Sequence, residues 1–206
     1  MPLTPEQETI RDMVRRFADA EIAPHAAAWD RDSHVSIDTL DAMGRLGLMG
    51  MCVPGEWGGA GMDFVSYILA VEEIAAADGG LCNAMCASNS PVAAALLDFG
   101  SADQKERFLK PLATGEKRGT FLLTEPQAGS DAANLKTVAE RRGETYVLNG
   151  IKQFITAGQS ADVAMIVAVS DPAAGKRGIT CFLAATTDPG YRVARLEEKL
   201  GHRTCD

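Results

Sequence analysis

No stretch of eighteen or more uncharged apolar residues occurs in this chain, so no membrane span is expected. The first residues, Met1-Pro2-Leu3-Thr4-Pro5-Glu6, hold no basic segment followed by an apolar run, so no secretory signal is expected either. Positive charge is in deficit. A formal charge of −8 argues against nucleic acid as the main partner, while leaving room for a local basic patch facing a phosphate-bearing ligand. Histidine is scarce: His25, His34 and His202 are too dispersed for a metal centre and read as surface or helix-end residues. The five cysteines, Cys52, Cys82, Cys86, Cys181 and Cys205, are scattered and odd in number. That pattern argues against a disulfide framework and favours a reducing cytoplasm. Cys82 and Cys86 fall one helical turn apart, but no histidine or cysteine pair follows at zinc-site spacing, so both read as small core residues. The glycine-rich run Pro54–Gly61 lacks the lysine and hydroxyl of a P-loop and reads as an irregular connector anchored by Trp57. Internal repeats and low-complexity segments are lacking as well.

What is present suits a globular protein. Apolar residues make up 46% of 206, enough for one large domain or two small ones with a real core. The first half reads helical. Thr4, Pro5 and Gln7 form a helix start with a capping box, followed by Ile10, Met13, Val14 and Phe17 at the spacing of one buried face. Pro24 is expected to end or bend that helix. Ser36 and Asp38 open a second helix burying Ile37, Leu40 and Met43, with Gly47 near its stop. Asp63 caps a third, running to about Ala77 with Phe64, Val65, Ile68 and Val71 inward. Ser90-Pro91 and Ser101 to Gln104 start two more, and Gly100 ends the first of these.

Near Gly115 the pattern changes to short strand-like runs: 120–124, 137–140, 146–155, 163–169, 179–185 and 192–196. Asn149-Gly150 is the strongest short hairpin signal. The chain therefore reads as α+β: an all-helical domain over 1–116, then an antiparallel, barrel-like β domain over 117–206. The last ten residues carry no helix cap, and a sheet that stopped there would leave an unpaired edge.

Two segments carry the chemistry. Phe121-Leu122-Leu123-Thr124-Glu125-Pro126-Gln127-Ala128-Gly129-Ser130-Asp131 begins as an apolar strand and breaks into a loop rich in hydroxyl, carboxylate and amide groups. Lys152-Gln153-Phe154-Ile155-Thr156-Ala157-Gly158 again brings an aromatic and a hydroxyl to the end of a strand. A rigid strand that exits into a polar loop suits the edge of a flat, polar cofactor. Glu125 is the carboxylate nearest these motifs, and its place in the turn beside Pro126 points to a structural, loop-bonding role rather than that of a base.

Together the two segments resemble the flavin-binding signatures of the acyl-CoA dehydrogenases. Other stretches are similar in the same order: Val53–Gly61, Ala70–Ala75, Gly100–Lys105 and Arg195–Arg203. The resemblance implies FAD as cofactor and an acyl-CoA as substrate. It implies that Thr124 bonds the pyrimidine edge of the flavin, Thr156 bonds N5 and Phe154 packs on the ring. Phe121, Leu122, Leu123 and Ile155 complete the cofactor contacts, and Ser130 meets both FAD and acyl-CoA. Family members often have tryptophan at the position of Phe154, and asparagine at that of Ala157; the second change removes an amide, so Ala157 is given no role. The family's catalytic glutamate lies on a third, C-terminal helical domain outside these 206 residues, so no catalytic and no metal-binding residue is assigned here.

The resemblance further implies electron-transfer flavoprotein as electron acceptor and a tetramer or dimer for the full-length enzyme. Three readings stay open: part of a working dehydrogenase, an inactive FAD- or acyl-CoA-binding module, or a fragment without independent function. Coding sequence continuing past Asp206 would favour the first, and a yellow purified chain would separate the other two.

Overall fold

The computed structural model describes residues 2–206. Helices fill the first half: α1 (Pro5–Phe17), α2 (Ala23–Asp32), α3 (Ile37–Arg45), α4 (Phe64–Ala77), α5 (Gly79–Ala87), α6 (Ala94–Phe99), α7 (Ala102–Gln104) and α8 (Lys110–Ala113). The expected capping box forms at α1, where the Thr4 hydroxyl accepts from the Gln7 amide and the Gln7 side chain accepts from the Thr4 amide. Ser101 and Gln104 repeat it at α7.

Pro24 bends the helical run without ending it. Proline lacks an N–H and its ring clashes with the carbonyl four residues back. The turn before it, Ala18–Ile22, is widened to π geometry, with the Ala23 amide reaching Ala18 O. Pro111 is absorbed in the same way by the widened turn Lys105–Leu109.

One apolar cluster holds the helices together, with Val14, Ile22, Met43, Met49, Ile74, Leu81 and Met85 fully buried. Cys82 belongs to it and Cys86 packs against it, as expected of small core residues. Two expected burials fail. Ile37 is exposed, and α4 is turned the other way: Phe64, Val65 and Ile68 face out, while Ser66, Tyr67, Ala70 and Ile74 face in. Helix α4 is apolar nearly all round, so periodicity alone does not choose a face. The connector Pro54–Gly61 folds back on 50–53 through Ala60 N to Gly50 O and Gly61 N to Val53 O, and Trp57 packs on a second apolar cluster with Leu109, Leu112 and Val163.

The second half forms one sheet of five strands: β1 (Gly119–Leu122), β2 (Val138–Arg142), β3 (Thr145–Asn149), β4 (Val163–Val169) and β5 (Ile179–Ala185). The sheet is mixed and open, which corrects the expectation of an antiparallel, barrel-like arrangement. Antiparallel β5 lines the whole of β4, while β1 pairs β4 in parallel along 163–166 and β2 meets it in parallel at Val138–Val169. The β2–β3 hairpin stands between β1 and β4 in sequence, so the chain returns to β1 in its original direction.

Asn149-Gly150 is not the hairpin turn. The register pairs Arg142 with Thr145, so the two-residue loop is Gly143-Glu144, with Gly143 at φ +65°. A first-position glycine suits the II′ turn that matches strand twist. Gly150 has another use: a Cβ there would lie 2.2 Å from the Thr137 hydroxyl. The expected strand over 146–155 accordingly stops at Asn149, and 192–196 forms no strand.

Candidate functional site

Strand β1 is pinned on both sides. One edge pairs with β4. Along the other runs the irregular segment 152–156, antiparallel to β1 in direction. The Gln153 amide donates to Thr124 O at 2.8 Å, and the buried Thr120 hydroxyl donates to Thr156 O at 2.7 Å. The sequence-predicted residues Phe121, Leu122, Leu123 and Thr124 therefore lie beside Phe154, Ile155 and Thr156.

This edge presents free donors. Thr124 and Thr156 are half-buried, and among the described residues their hydroxyls and backbone amides have no hydrogen-bond partner. The Phe154 ring is 70% exposed next to them. Half-exposed donors beside an unburied aromatic face are what a flat heterocycle with a polar rim requires, so these residues fit a flavin. Phe121 and Leu123 pack on a small cluster with Ala128, Leu135 and Val167, and Leu122 is buried. Their side chains support the site from the core. Ser130 stands apart, exposed in the loop after β1.

The backbone is unusual here. Phe154 and Ala157 sit at φ +56° and +57°, a left-handed region that side chains with a Cβ enter at a cost. Asparagine tolerates this region better than alanine, which gives a physical reason for the asparagine common at the position of Ala157 in the family that the sequence resembles.

Beneath the site lies a buried ion pair. The Glu125 side chain is 2% exposed and that of Lys152 is 7% exposed, with Lys152 Nζ 2.8 Å from Glu125 Oε1. The same ammonium donates to Leu123 O at 3.0 Å and Val167 O at 2.7 Å. Glu125 also accepts from the Thr137 and Lys136 amides and from Gln127 Nε2. Burial pushes the carboxyl up, but Lys152 and these donors outweigh it and hold Glu125 at about 2. A carboxylate so fully engaged is no free base, in keeping with the structural role expected from its sequence context.

Sequence reasoning missed Lys152, Thr120 and the chain end. A lysine between the apolar Ile151 and Phe154-Ile155 was the available signal for the first. Residues 199–206 fold back over both halves. Arg203 grips Asp30 of α2 through Nε and Nη2, the Thr204 hydroxyl reaches Asp78 at 2.5 Å, and Asn83 meets His202 at 2.9 Å. The Asp206 side chain then accepts from the Gln159 and Ser160 amides, and its carbonyl accepts from Ala157 N at 3.0 Å.

A helical half followed by an open mixed sheet is the arrangement of the acyl-CoA dehydrogenase fold. Residues 4–116 match the acyl-CoA dehydrogenase N-terminal domain and residues 120–206 the acyl-CoA dehydrogenase middle domain, so the chain belongs to the acyl-CoA dehydrogenase family. It is 42% identical over 201 residues to a short-chain specific acyl-CoA dehydrogenase of Clostridium acetobutylicum, covering 98% of this chain and 53% of that protein. The mitochondrial short-chain specific acyl-CoA dehydrogenase of Mus musculus is 38% identical, with 95% of this chain and 48% of the relative covered. Butyryl-CoA dehydrogenase from Megasphaera elsdenii superposes with a TM-score of 0.95 at 37% identity, covering 100% of this chain and 55% of that one. A chain in a structure of the electron transferring flavoprotein of Acidaminococcus fermentans gives 0.96 at 40% identity, covering 100% and 54%. This chain thus spans about half the length of the relatives it matches. No helix among the described residues is long and apolar enough to cross a membrane.

Proposed function

We propose that this chain forms the N-terminal (1–116) and middle (117–206) domains of an FAD-dependent acyl-CoA dehydrogenase that removes hydrogen from the α and β carbons of an acyl-CoA thioester. The observation that carries this reading is the row of unpartnered donors at Thr124 and Thr156 beside the exposed Phe154 ring. Bound FAD would supply the hydride acceptor. Thr124 would hold the pyrimidine edge, Thr156 the N5 side and Phe154 the ring face, with Phe121, Leu122, Leu123 and Ile155 behind them. Ser130 would meet cofactor and substrate from the loop.

Abstraction of the weakly acidic α proton needs a positioned base. Glu125 is tied up by four donors, and the resemblance to the family assigns the base to its C-terminal domain, outside these residues. By itself the chain binds and orients, and turnover with straight-chain acyl-CoA substrates requires the family's C-terminal domain. Electron-transfer flavoprotein as acceptor, a tetramer or dimer for the full-length enzyme, a role in fatty-acid metabolism and residence in the cytoplasm belong to the same proposal. The five free thiols support the last.

The test is FAD titration and stopped-flow flavin reduction on a version extended by that domain. Loss of one neutral hydrogen bond costs roughly 0.5–1.5 kcal/mol, so Thr156→Ala should weaken FAD about two- to tenfold and slow flavin reduction more. Thr124→Ala should shift the flavin spectrum and affinity with less effect on reduction. Wild-type affinity and rate in both variants would remove the site assignment.

A further inference from the structure

The segment bearing Phe154 and Thr156 cannot be held as a strand. Two of its residues, Phe154 and Ala157, lie at positive φ, and a β-ladder does not form through such a backbone. Its position beside β1 must come from discrete ties. Lys152 opens the segment, and its ammonium donates to three acceptors on different stretches of chain: Leu123 O at the end of β1, Glu125 in the following turn and Val167 O on β4. Glu125 in turn accepts from Lys136 and Thr137 amides at the entry to β2. One buried pair therefore joins the segment to the end of β1, the turn after it, the entry to β2 and β4.

We propose that the Lys152–Glu125 pair is a positioning clasp for the cofactor edge: it sets the segment that carries Phe154 and Thr156 against the strand end that carries Thr124. Lys152 and Glu125 are positioning residues. Each is a neighbour in sequence of a proposed contact, with Glu125 directly after Thr124 and Lys152 two residues before Phe154. Both are too buried to touch the ligand themselves. Fold stability does not explain the pair, because buried ion pairs contribute little beyond what apolar residues of similar volume would. What an ammonium adds over a methionine is direction: three carbonyl or carboxylate oxygens must converge on one atom. The inference deepens the flavin reading above and rests on it for the identity of the ligand.

The experiment uses the 206-residue chain, with Lys152→Met, Glu125→Gln and the double variant. Val14→Ala, in the helical core far from the sheet, serves as a control for general destabilisation. Two readouts are taken well below each melting temperature: FAD titration followed by the bound-flavin absorption spectrum, and hydrogen exchange at the Gln153 amide, which bonds Thr124 O. The clasp predicts that Lys152→Met weakens FAD at least tenfold and alters the bound spectrum, and that Gln153 exchange accelerates at least tenfold. The double variant should lose no more than either single one, and Val14→Ala should change neither readout. Wild-type FAD affinity, spectrum and Gln153 exchange in Lys152→Met would overturn the clasp. If the wild-type chain takes up no FAD, it is the flavin reading that fails for this chain, and exchange at Gln153 alone then decides whether the clasp positions the segment.

Discussion

Glu125 shows how much one side chain can govern. Its carboxylate gathers four donors, one of them the Lys152 ammonium, in a place almost closed to water. Its folded value of about 2 lies below the ordinary 4.5. A depressed carboxylate contributes its stability in full above the ordinary value and loses it as pH falls toward the folded one. That contribution is on the order of 3 kcal/mol and should disappear between about pH 5 and pH 2. Urea unfolding of the wild type across this range should show it. Glu125→Gln should be about 3–5 kcal/mol less stable at pH 7, since it leaves a buried ammonium without its counter-charge, and its acid slope should be shallower by this group's share. An unchanged acid slope would mean that another group carries the transition. Thr120 matters in a quieter way: its hydroxyl holds Thr156 O, while the Thr156 amide and hydroxyl have no partner among the described residues.

At the scale of elements, prolines shape the helical half without breaking it. The widened turns before Pro24 and Pro111 let the backbone pass with the clashing carbonyl moved aside. Helix ends follow local rules with exceptions: Ser36 makes no side-chain cap at α3, and α2 stops on Ser33 in the left-handed region at φ 51°, where glycine is the usual choice. Ser33 is exposed, so Ser33→Gly should relieve the backbone cost without opening a cavity. A gain of about 0.5–1 kcal/mol is expected, read as a higher urea midpoint at unchanged slope. A lower midpoint would show that the serine hydroxyl does more at this cap than its backbone costs. The β2–β3 hairpin teaches the opposite lesson about local signals. Asn149-Gly150 has the better turn composition, but Gly143-Glu144 makes the turn, because Gly150 is packed against Thr137.

For the whole molecule, residues 202–206 add polar ties between helices and sheet to the apolar cluster that Leu109, Leu112 and Val163 already share. Residues 202–206 touch α2, α5 and the loop directly after Thr156. Removing them should free the amides of Ala157, Gln159 and Ser160, and hydrogen exchange at those positions should rise at least tenfold while α1 keeps its protection. Thr204→Val, which removes one buried bond to Asp78, should cost about 1–2 kcal/mol in urea unfolding. If exchange in 157–160 were indifferent to the truncation, the loop would be ordered by the sheet alone. The outer edge of β5 has no strand partner among the described residues.

The sequence by itself determined the features that a few neighbouring residues can decide. Thr4 with Gln7 and Ser101 with Gln104 make their capping boxes as read, because both partners lie within one turn and need nothing from the rest of the chain. The change from helical to strand-like patterning near Gly115 was legible for the same reason, and so were the two motifs, since their residue types stand in contiguous runs. Tertiary structure alone decided which face of α4 is buried, which strands run parallel, and that Lys152 turns inward to Glu125. Those outcomes depend on partners far apart in sequence: α4 turns to suit α1, β1 waits for β4, and the ammonium of Lys152 collects oxygens from residues 123, 125 and 167. An ammonium enters a core only where the fold has already brought acceptors to meet it, and no local pattern records that convergence.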